Sequence, residues 1–351
     1  MNCLKRKQKR NLNKLFEKGC EFLKNIKNEK VALVYHKDVD GICSCILFSI
    51  ALKKLGIEVA TVPTVYRKFA KTIRSLKFDK LIVVDIGMSQ EFALLFKKPV
   101  LIIDHHLIKE DINSDRIIFI NPRFEEAEIY QPASYISYKF LSKIVDLEDR
   151  EWLAVLGTIS DYGFEDCKDL IKKHVDLNSI KTKDELLEKT KFGKAATALT
   201  AAMIEFGVEK AMKILLISKN LDEILENENI KNVSVRHKAL FEKYEKEFWE
   251  NSETIGEIIF SIIKPSKEGI ASNVVNEVSR KNPNKIILLF EELDDKYNID
   301  ARCQSGRIHL GKLMEKTCGG GGHRNAAGGL IKKSDLEDFK NRVMKELKMK
   351  I

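Results

Sequence analysis

Three short stretches put proton- and cation-binding side chains at the ends of apolar runs. Val31-ALVYHKDVDG delivers His36, Asp38 and Asp40, Lys80-LIVVDIG delivers Asp85, and Pro99-VLIIDHH delivers Asp104, His105 and His106. Asp38 and Asp40 are two residues apart, so on extended backbone they point the same way. Carboxylates gathered at close range raise one another's pKa or require a cation. Oxygen ligands with a share of imidazole suit Mn²⁺ or Mg²⁺ better than a structural zinc, which draws on cysteine. Two such ions, roughly 3.5–4 Å apart and bridged by a carboxylate, activate water and stabilise the leaving oxygen in phosphoester hydrolysis. Asp161, in GTISDYG at the end of a helical pattern, is a further candidate ligand. One such acid alone reads equally well as a helix N-cap or turn residue. Acids at four element ends, with two adjacent histidines that have no packing rationale, read as a metal site.

The elements that must position these groups follow from hydrophobic pattern. Residues 31–36, 57–62, 81–85, 100–104 and 117–120 are aliphatic and β-branched and read as strands, the runs without alternation being buried on both faces. Helical patterns lie between and after them at 43–55, 67–76 and 90–96. Alternation at this interval predicts a parallel sheet of the α/β class, which binds ligands at the carboxyl edge of its strands. Asn121-Pro122 ends the strand-rich part. Helices are then expected over 133–145, 148–161 and much of 168–251, the last part an amphipathic connector. A second region has strands at 257–263, 285–290 and 297–303, helices near 269–280 and 309–316, and a final Cys318-GGGGHRNAAGG. The expected organisation is a catalytic domain with a helical extension over 1–235, a connector over 236–254 and a smaller α+β domain over 255–351.

Bulk properties narrow the class. With 351 residues, 44% of them hydrophobic, the chain can build two cores. No run approaches the ~20 apolar residues of a membrane span, and no apolar segment follows the basic N-terminus as in a secretory leader; a cytoplasmic protein without a membrane partner is expected. Seven scattered cysteines without paired spacing suggest free thiols. A net charge of +9 and a basic cluster at Lys5 to Arg10 favour polyanionic partners such as nucleic acid, although a lysine- and glutamate-rich solvated surface has the same composition. Tyr35, Tyr66, Phe69, Tyr130 and Tyr162 are aromatic candidates for base stacking or core, with none singled out. In the glycine run, Gly320, Gly321 and Gly322 could bring backbone N–H groups close to a phosphate. His323 and Arg324 would add donors.

HKDVDG, VVDIG, DHH at 104–106 and GTISDYG, followed by GGGGHRNAAGG, resemble in that order the DHH phosphoesterase family with its associated C-terminal domain. The family includes RecJ-type single-strand exonucleases, nanoRNases and cyclic dinucleotide phosphodiesterases. The resemblance implies Asp38, Asp40, Asp85, His105 and Asp161 as ligands of two Mn²⁺ or Mg²⁺ ions, with Asp85 bridging. It implies that His106 faces the scissile phosphate, that Asp104 orients a neighbouring imidazole, and that Arg302 and the glycine segment grip the substrate. Small-substrate members carry a ligand histidine four residues before the first aspartate, which here is Val34. His36 sits two before and is a candidate ligand or neighbour, a pattern closer to the RecJ type.

The expected function is therefore a metal-dependent, RecJ-like exonuclease acting on single-stranded DNA or RNA. A nanoRNase-type or cyclic dinucleotide phosphodiesterase and a non-catalytic RecJ-like assembly factor are the alternatives. A homodimer or a replication and repair partner is left open.

Overall fold

The computed structural model describes residues 10–266, 269–322 and 324–348; the expected basic cluster, except Arg10, and His323 lie outside them. The chain divides into two compact units with the boundary between Val233 and Ser234.

The first unit is a five-stranded, wholly parallel sheet. Its strands are β1 (Val31–His36), β2 (Val59–Thr64), β3 (Lys80–Val84), β4 (Val100–Ile103) and β5 (Ile117–Ile120), in the spatial order β2-β1-β3-β4-β5. The chain passes from β1 outward to β2 and then returns to the other side of β1, so the order reverses between β1 and β3. That switch point is where an open α/β sheet opens a crevice at its carboxyl edge. The middle strands are buried on both faces, with every residue of β4 fully inaccessible. Each aliphatic side chain so buried is worth roughly 1.5–3 kcal/mol against exposure, and this core fixes the strand ends.

Helices α1 (Leu12–Lys24), α2 (Val39–Lys54), α3 (Phe69–Ser75) and α4 (Gln90–Ala93) accompany the strands, and α5 (Ala133–Leu141) and α6 (Glu151–Ser160) follow. Helices α7 (Lys168–Ile171), α8 (Lys183–Lys189), α9 (Lys191–Phe206), α10 (Val208–Ile217) and α11 (Leu221–Glu226) form the helical extension. The long α12 (Glu228–Glu250) contains the boundary between units.

β2 starts two residues later than the hydrophobic pattern predicts. Gly56 takes φ +74° after the end of α2, and the Ile57 N–H returns to the Leu52 carbonyl at 2.9 Å, so Ile57 closes the helix end instead of opening the strand. Similarly, α4 is a single turn and α5 stops at Leu141, both shorter than their apolar patterns.

The second unit is a six-stranded mixed sheet in the order β10-β11-β9-β8-β7-β6. It comprises β6 (Ser252–Ile255), β7 (Ile258–Ile263), β8 (Ile286–Glu292), β9 (Lys296–Arg302), β10 (Gly321–Gly322) and β11 (Ala326–Lys332). Helices α13 (Ile270–Lys281), α14 (Leu310–Cys318) and α15 (Leu336–Glu346) complete it. Its two cores are separate: Phe260, Leu288, Phe290 and Ile299 pack with Met314 and Phe339, whereas Ile259, Ile263, Ile287 and Leu289 pack with Val274 and Phe248. The final segment, to which the sequence pattern assigns no element, contains a strand, since Ala326 to Lys332 pairs along its length with β9. Its small residues hide the alternation by which a strand is recognised. No helix of the described residues is long and apolar enough to cross a membrane.

Candidate metal centre

The carboxyl ends of β1, β3 and β4 and the C-terminus of α6 bring the acidic and imidazole groups of the first unit together. Asp38 serves two roles, because its Oδ1 accepts from the Gly41 N–H at 2.8 Å, capping α2, while Oδ2 lies 2.6 Å from His36 Nδ1. Gly41 permits this tight turn: a Cβ there would meet the His36 carbonyl oxygen at 2.3 Å. In the first turn of α2, Asp40 is buried and accepts from the Ala133 and Ser134 N–H groups, at 2.7 and 3.0 Å, at the start of α5. Asp85 lies just past β3 with φ +60°, a left-handed conformation uncommon outside glycine. Its buried carboxylate faces two imidazoles, with His105 Nε2 at 3.3 Å and His36 Nδ1 at 3.7 Å. His105 Nε2 lies also 3.4 Å from Asp161 Oδ2.

Behind these, Asp104 is buried and accepts from His106 Nδ1 at 2.7 Å; the His106 ring is half-exposed and packs 4.6 Å from that of His105. The expectation that Asp104 orients an imidazole thus corresponds to a contact with His106.

Three overlapping groups offer ligand atoms within 4.8 Å of one another: His36, Asp38 and Asp85; Asp40, His105 and Asp161; and Asp85, Asp104, His105 and His106. Asp85 and His105 each belong to two of them. The donor set fits a divalent cation on the protein's own terms. Asp85 Oδ2, Asp104 Oδ2 and His105 Nδ1 are buried without a hydrogen-bond partner, a costly state for polar atoms unless something else satisfies them.

Electrostatics point the same way. Burial, then the charges of Asp85 and Asp161, pushes Asp40 well above the usual carboxylate range. Burial, with the charges of Asp85 and Asp38, raises Asp161 to about 6 against the pull of His105 and Tyr130. Burial would raise Asp85 too, but the facing imidazoles of His105 and His36 take it below the usual range. At His36 and His105 burial opposes the charged form but is outweighed, by Asp38 and Asp85 and by Asp161 and Asp85 respectively, which raise them to about 11 and 10. Protons therefore occupy positions where positive charge is required.

Three residues of the surroundings have no signal in the acid and histidine pattern. Asn121, fully buried after β5, donates from Nδ2 to the His106 carbonyl at 2.9 Å, and Arg123 Nε donates to the His105 carbonyl at 2.8 Å. Tyr130 O–H donates to Asp161 Oδ2 at 2.7 Å. Their traces in the sequence are the Asn-Pro pair that ends the strand region and the place of Tyr130 among the aromatic candidates. Of the other aromatic candidates, Tyr35 and Phe69 are core, whereas Tyr66 and Tyr162 are exposed.

The remaining candidates lie in the second unit. Arg302 donates to Asp300 Oδ1 at 3.0 Å and to the Ala301 carbonyl at 2.9 Å, and also contacts Asn276. Its partner across the sheet is Ala326, the first residue of β11. Arg324 is exposed and donates to the Gly306 carbonyl at 3.0 Å. The glycines differ among themselves. A Cβ on Gly320 would meet the Gly328 carbonyl oxygen at 2.3 Å, and one on Gly322, at φ +145°, the Ala326 carbonyl oxygen at 2.5 Å, so both serve close backbone packing. Gly321 has nothing within 4 Å of that position and is open to a ligand.

Comparison with known proteins decides the family. The DHH family N-terminal domain matches residues 30–158 and the DHHA1 domain residues 256–349, together well over half of the chain. The chain belongs to the DHH phosphoesterase family. No curated protein matches this DHH chain significantly. Solved structures share its fold. RecJ of Thermus thermophilus in complex with Mn²⁺ aligns with a TM-score of 0.74 at 17% identity, over 95% of this chain and 54% of that one. An exonuclease RecJ bound to manganese aligns at 0.71 and 15%, over 93% of each chain. The DHH domain of a member of the s1p family of ribosomal proteins aligns at 0.73 and 16%, over 97% and 92%. The DHH chain thus spans about half the length of the Thermus RecJ.

Proposed function

We propose that this DHH protein is a metal-dependent phosphodiesterase, a RecJ-like exonuclease that hydrolyses single-stranded nucleic acid from an end. The observation that carries the reading is the meeting of acidic and imidazole groups from four element ends, with Asp85 and His105 shared between groups of potential ligands. His36, Asp38, Asp40, Asp85, His105 and Asp161 would hold two ions, Mn²⁺ or Mg²⁺, with Asp85 between them. RecJ structures of the same fold carry Mn²⁺. Ions in such a site lower the pKa of water and neutralise the charge that builds on a phosphodiester in the transition state.

The chain's own residues supply the rest. Asp40, fixed by two backbone N–H groups, and Asp85, fixed on a left-handed turn, need no rearrangement to present their oxygens. His106, half-exposed and oriented by Asp104, is set to meet a non-bridging phosphate oxygen. Its Nδ1–H points to the Asp104 carboxylate, which raises its basicity and favours a protonated, donating ring. In the second domain, Arg302, Arg324, His323 and the glycine segment Gly320 to Gly322, with Gly321 its open member, would hold the strand through its phosphates, a grip without sequence preference.

The assay is hydrolysis of end-labelled oligonucleotides in Mn²⁺. The parent is expected to shorten a single strand progressively, while Asp85→Ala and His105→Ala proteins stay at background. Variants as active as the parent would overturn the proposal. Faster turnover of a dinucleotide than of a twenty-nucleotide strand would instead assign a short-oligonucleotide phosphodiesterase.

A further inference from the structure

Two of the three groups of potential ligands share no residue and have different surroundings. His36, Asp38 and Asp85 are held mainly by one another and by the start of α2. In the set formed by Asp40, His105 and Asp161, Asp40 is held by the Ala133 and Ser134 N–H groups, and His105 and Asp161 are tied to a strap running from Asn121 to Tyr130. Arg123 Nε fixes the His105 carbonyl at 2.8 Å, a further guanidinium N–H reaches the Ala127 carbonyl, and the guanidinium carbon lies 6.0 Å from the Tyr130 ring centre. The Tyr130 ring meets the His105 imidazole edge-on, with centres 5.3 Å apart. Its hydroxyl donates to Asp161 Oδ2 at 2.7 Å, with the Asp161 carbonyl oxygen also at 3.0 Å. The backbone of Tyr130 is in turn anchored, because its N–H donates to Asp166 Oδ2 at 2.7 Å. One side chain thus touches two of the three potential ligands of one set, and among the described residues its hydrogen bonds and ring contacts include none with His36, Asp38 or Asp85.

From this asymmetry we infer that Tyr130 is a positioning residue for one of the two cation sites, the one formed by Asp40, His105 and Asp161, and leaves the other unaffected. The inference rests on the two-ion reading above. The hydroxyl fixes which Asp161 oxygen stays free, while the ring limits the tilt of His105. Groups that orient ligands in this way typically change metal affinity 10–100-fold when removed.

Mn²⁺ titration followed by electron paramagnetic resonance of the free ion tests this without any turnover. The parent is expected to bind in two steps. Asp161→Asn identifies one step and Asp38→Asn the other. Tyr130→Phe keeps the ring and removes only the hydroxyl, and should weaken the Asp161 step 10–100-fold while the Asp38 step stays in place. Combined with Asp161→Asn it should add nothing further, a non-additivity that a general loss of structure would not produce. Thermal melts of the metal-free proteins check that Tyr130→Phe is folded. Equal weakening of both steps, no weakening of either, or an effect additive with Asp161→Asn would each overturn the inference. A parent that binds no Mn²⁺ would overturn the two-ion reading beneath it.

Discussion

In the proposed function, the two domains meet a phosphodiester in opposite ways. In the first, the working groups are charged side chains on the ends of buried parallel strands, fixed in place while still repelling one another. In the second the proposed groups are arginines and a glycine hairpin in which Gly320 and Gly322 serve packing, because carbonyl oxygens lie where a Cβ would go, while Gly321 is open. Gly311 belongs with them, since a Cβ there would meet the Gly322 carbonyl oxygen at 2.1 Å. A dense charge cage is legible as chemistry, whereas a glycine run has at least two physical explanations that only the packing separates.

The contrast can be broken most severely at its centre. Asp85→Asn should lower hydrolysis by more than roughly the hundredfold that removal of an outer orienting group costs, together with cation binding. Arg302→Ala should raise KM for oligonucleotides and leave cation binding unchanged. Steady-state kinetics and Mn²⁺ titration on both variants make the test, and similar profiles for the two would remove the division of labour.

The glycines sharpen the second half. Gly322→Ala and Gly320→Ala should each destabilise by about 1–3 kcal/mol through overpacking, and Gly321→Ala by less than about 0.5 kcal/mol. Denaturant melts read all three, and the same titration in substrate tells whether Gly321 matters for binding.

Proton traffic probes the cage. Because His36 and His105 are raised to about 11 and 10 and Asp161 to about 6, loading Mn²⁺ between pH 6 and 8 must displace protons. Calorimetry in buffers of different ionisation enthalpy should show a release; heats independent of buffer would contradict it.

A smaller effect separates the cage from an ordinary buried carboxylate. Glu151, at the start of α6, accepts from Lys173 at 2.6 Å, Tyr138 at 2.8 Å and His174 at 2.8 Å. Burial would raise its pKa, but these partners lower it. With the folded value depressed, its stabilisation is complete above the unfolded value near 4.5 and is lost as pH falls from there through the folded value. Glu151→Gln should cost about 1–3 kcal/mol at pH 7, and its melting curve should converge with the parent's below pH 4.5.

Much of the first domain could be read in advance because its strands are continuous aliphatic runs, and because acids and histidines stand at their ends. The parallel sheet and the grouping of Asp38, Asp40, Asp85 and His105 both follow from that pattern, and Asp161 joins them from the end of a helix. What escaped was local or small. The left-handed Asp85 turn has no glycine to announce it. Asn121, Arg123 and Tyr130 act through a carbonyl or a hydroxyl that composition does not reveal. β11 opens with Ala326, Ala327, Gly328 and Gly329, residues that carry almost no strand signal until β9 pairs with them. α15, charged on its outer face and buried only through Phe339, Val343 and Met344, also escaped notice.

Anomalous diffraction from crystals grown in Mn²⁺ tests the central claim most directly. Two peaks are predicted, one bounded by His36, Asp38 and Asp85 and one by Asp40, His105 and Asp161. A map without density among these side chains, at Mn²⁺ concentrations that support hydrolysis, would contradict it.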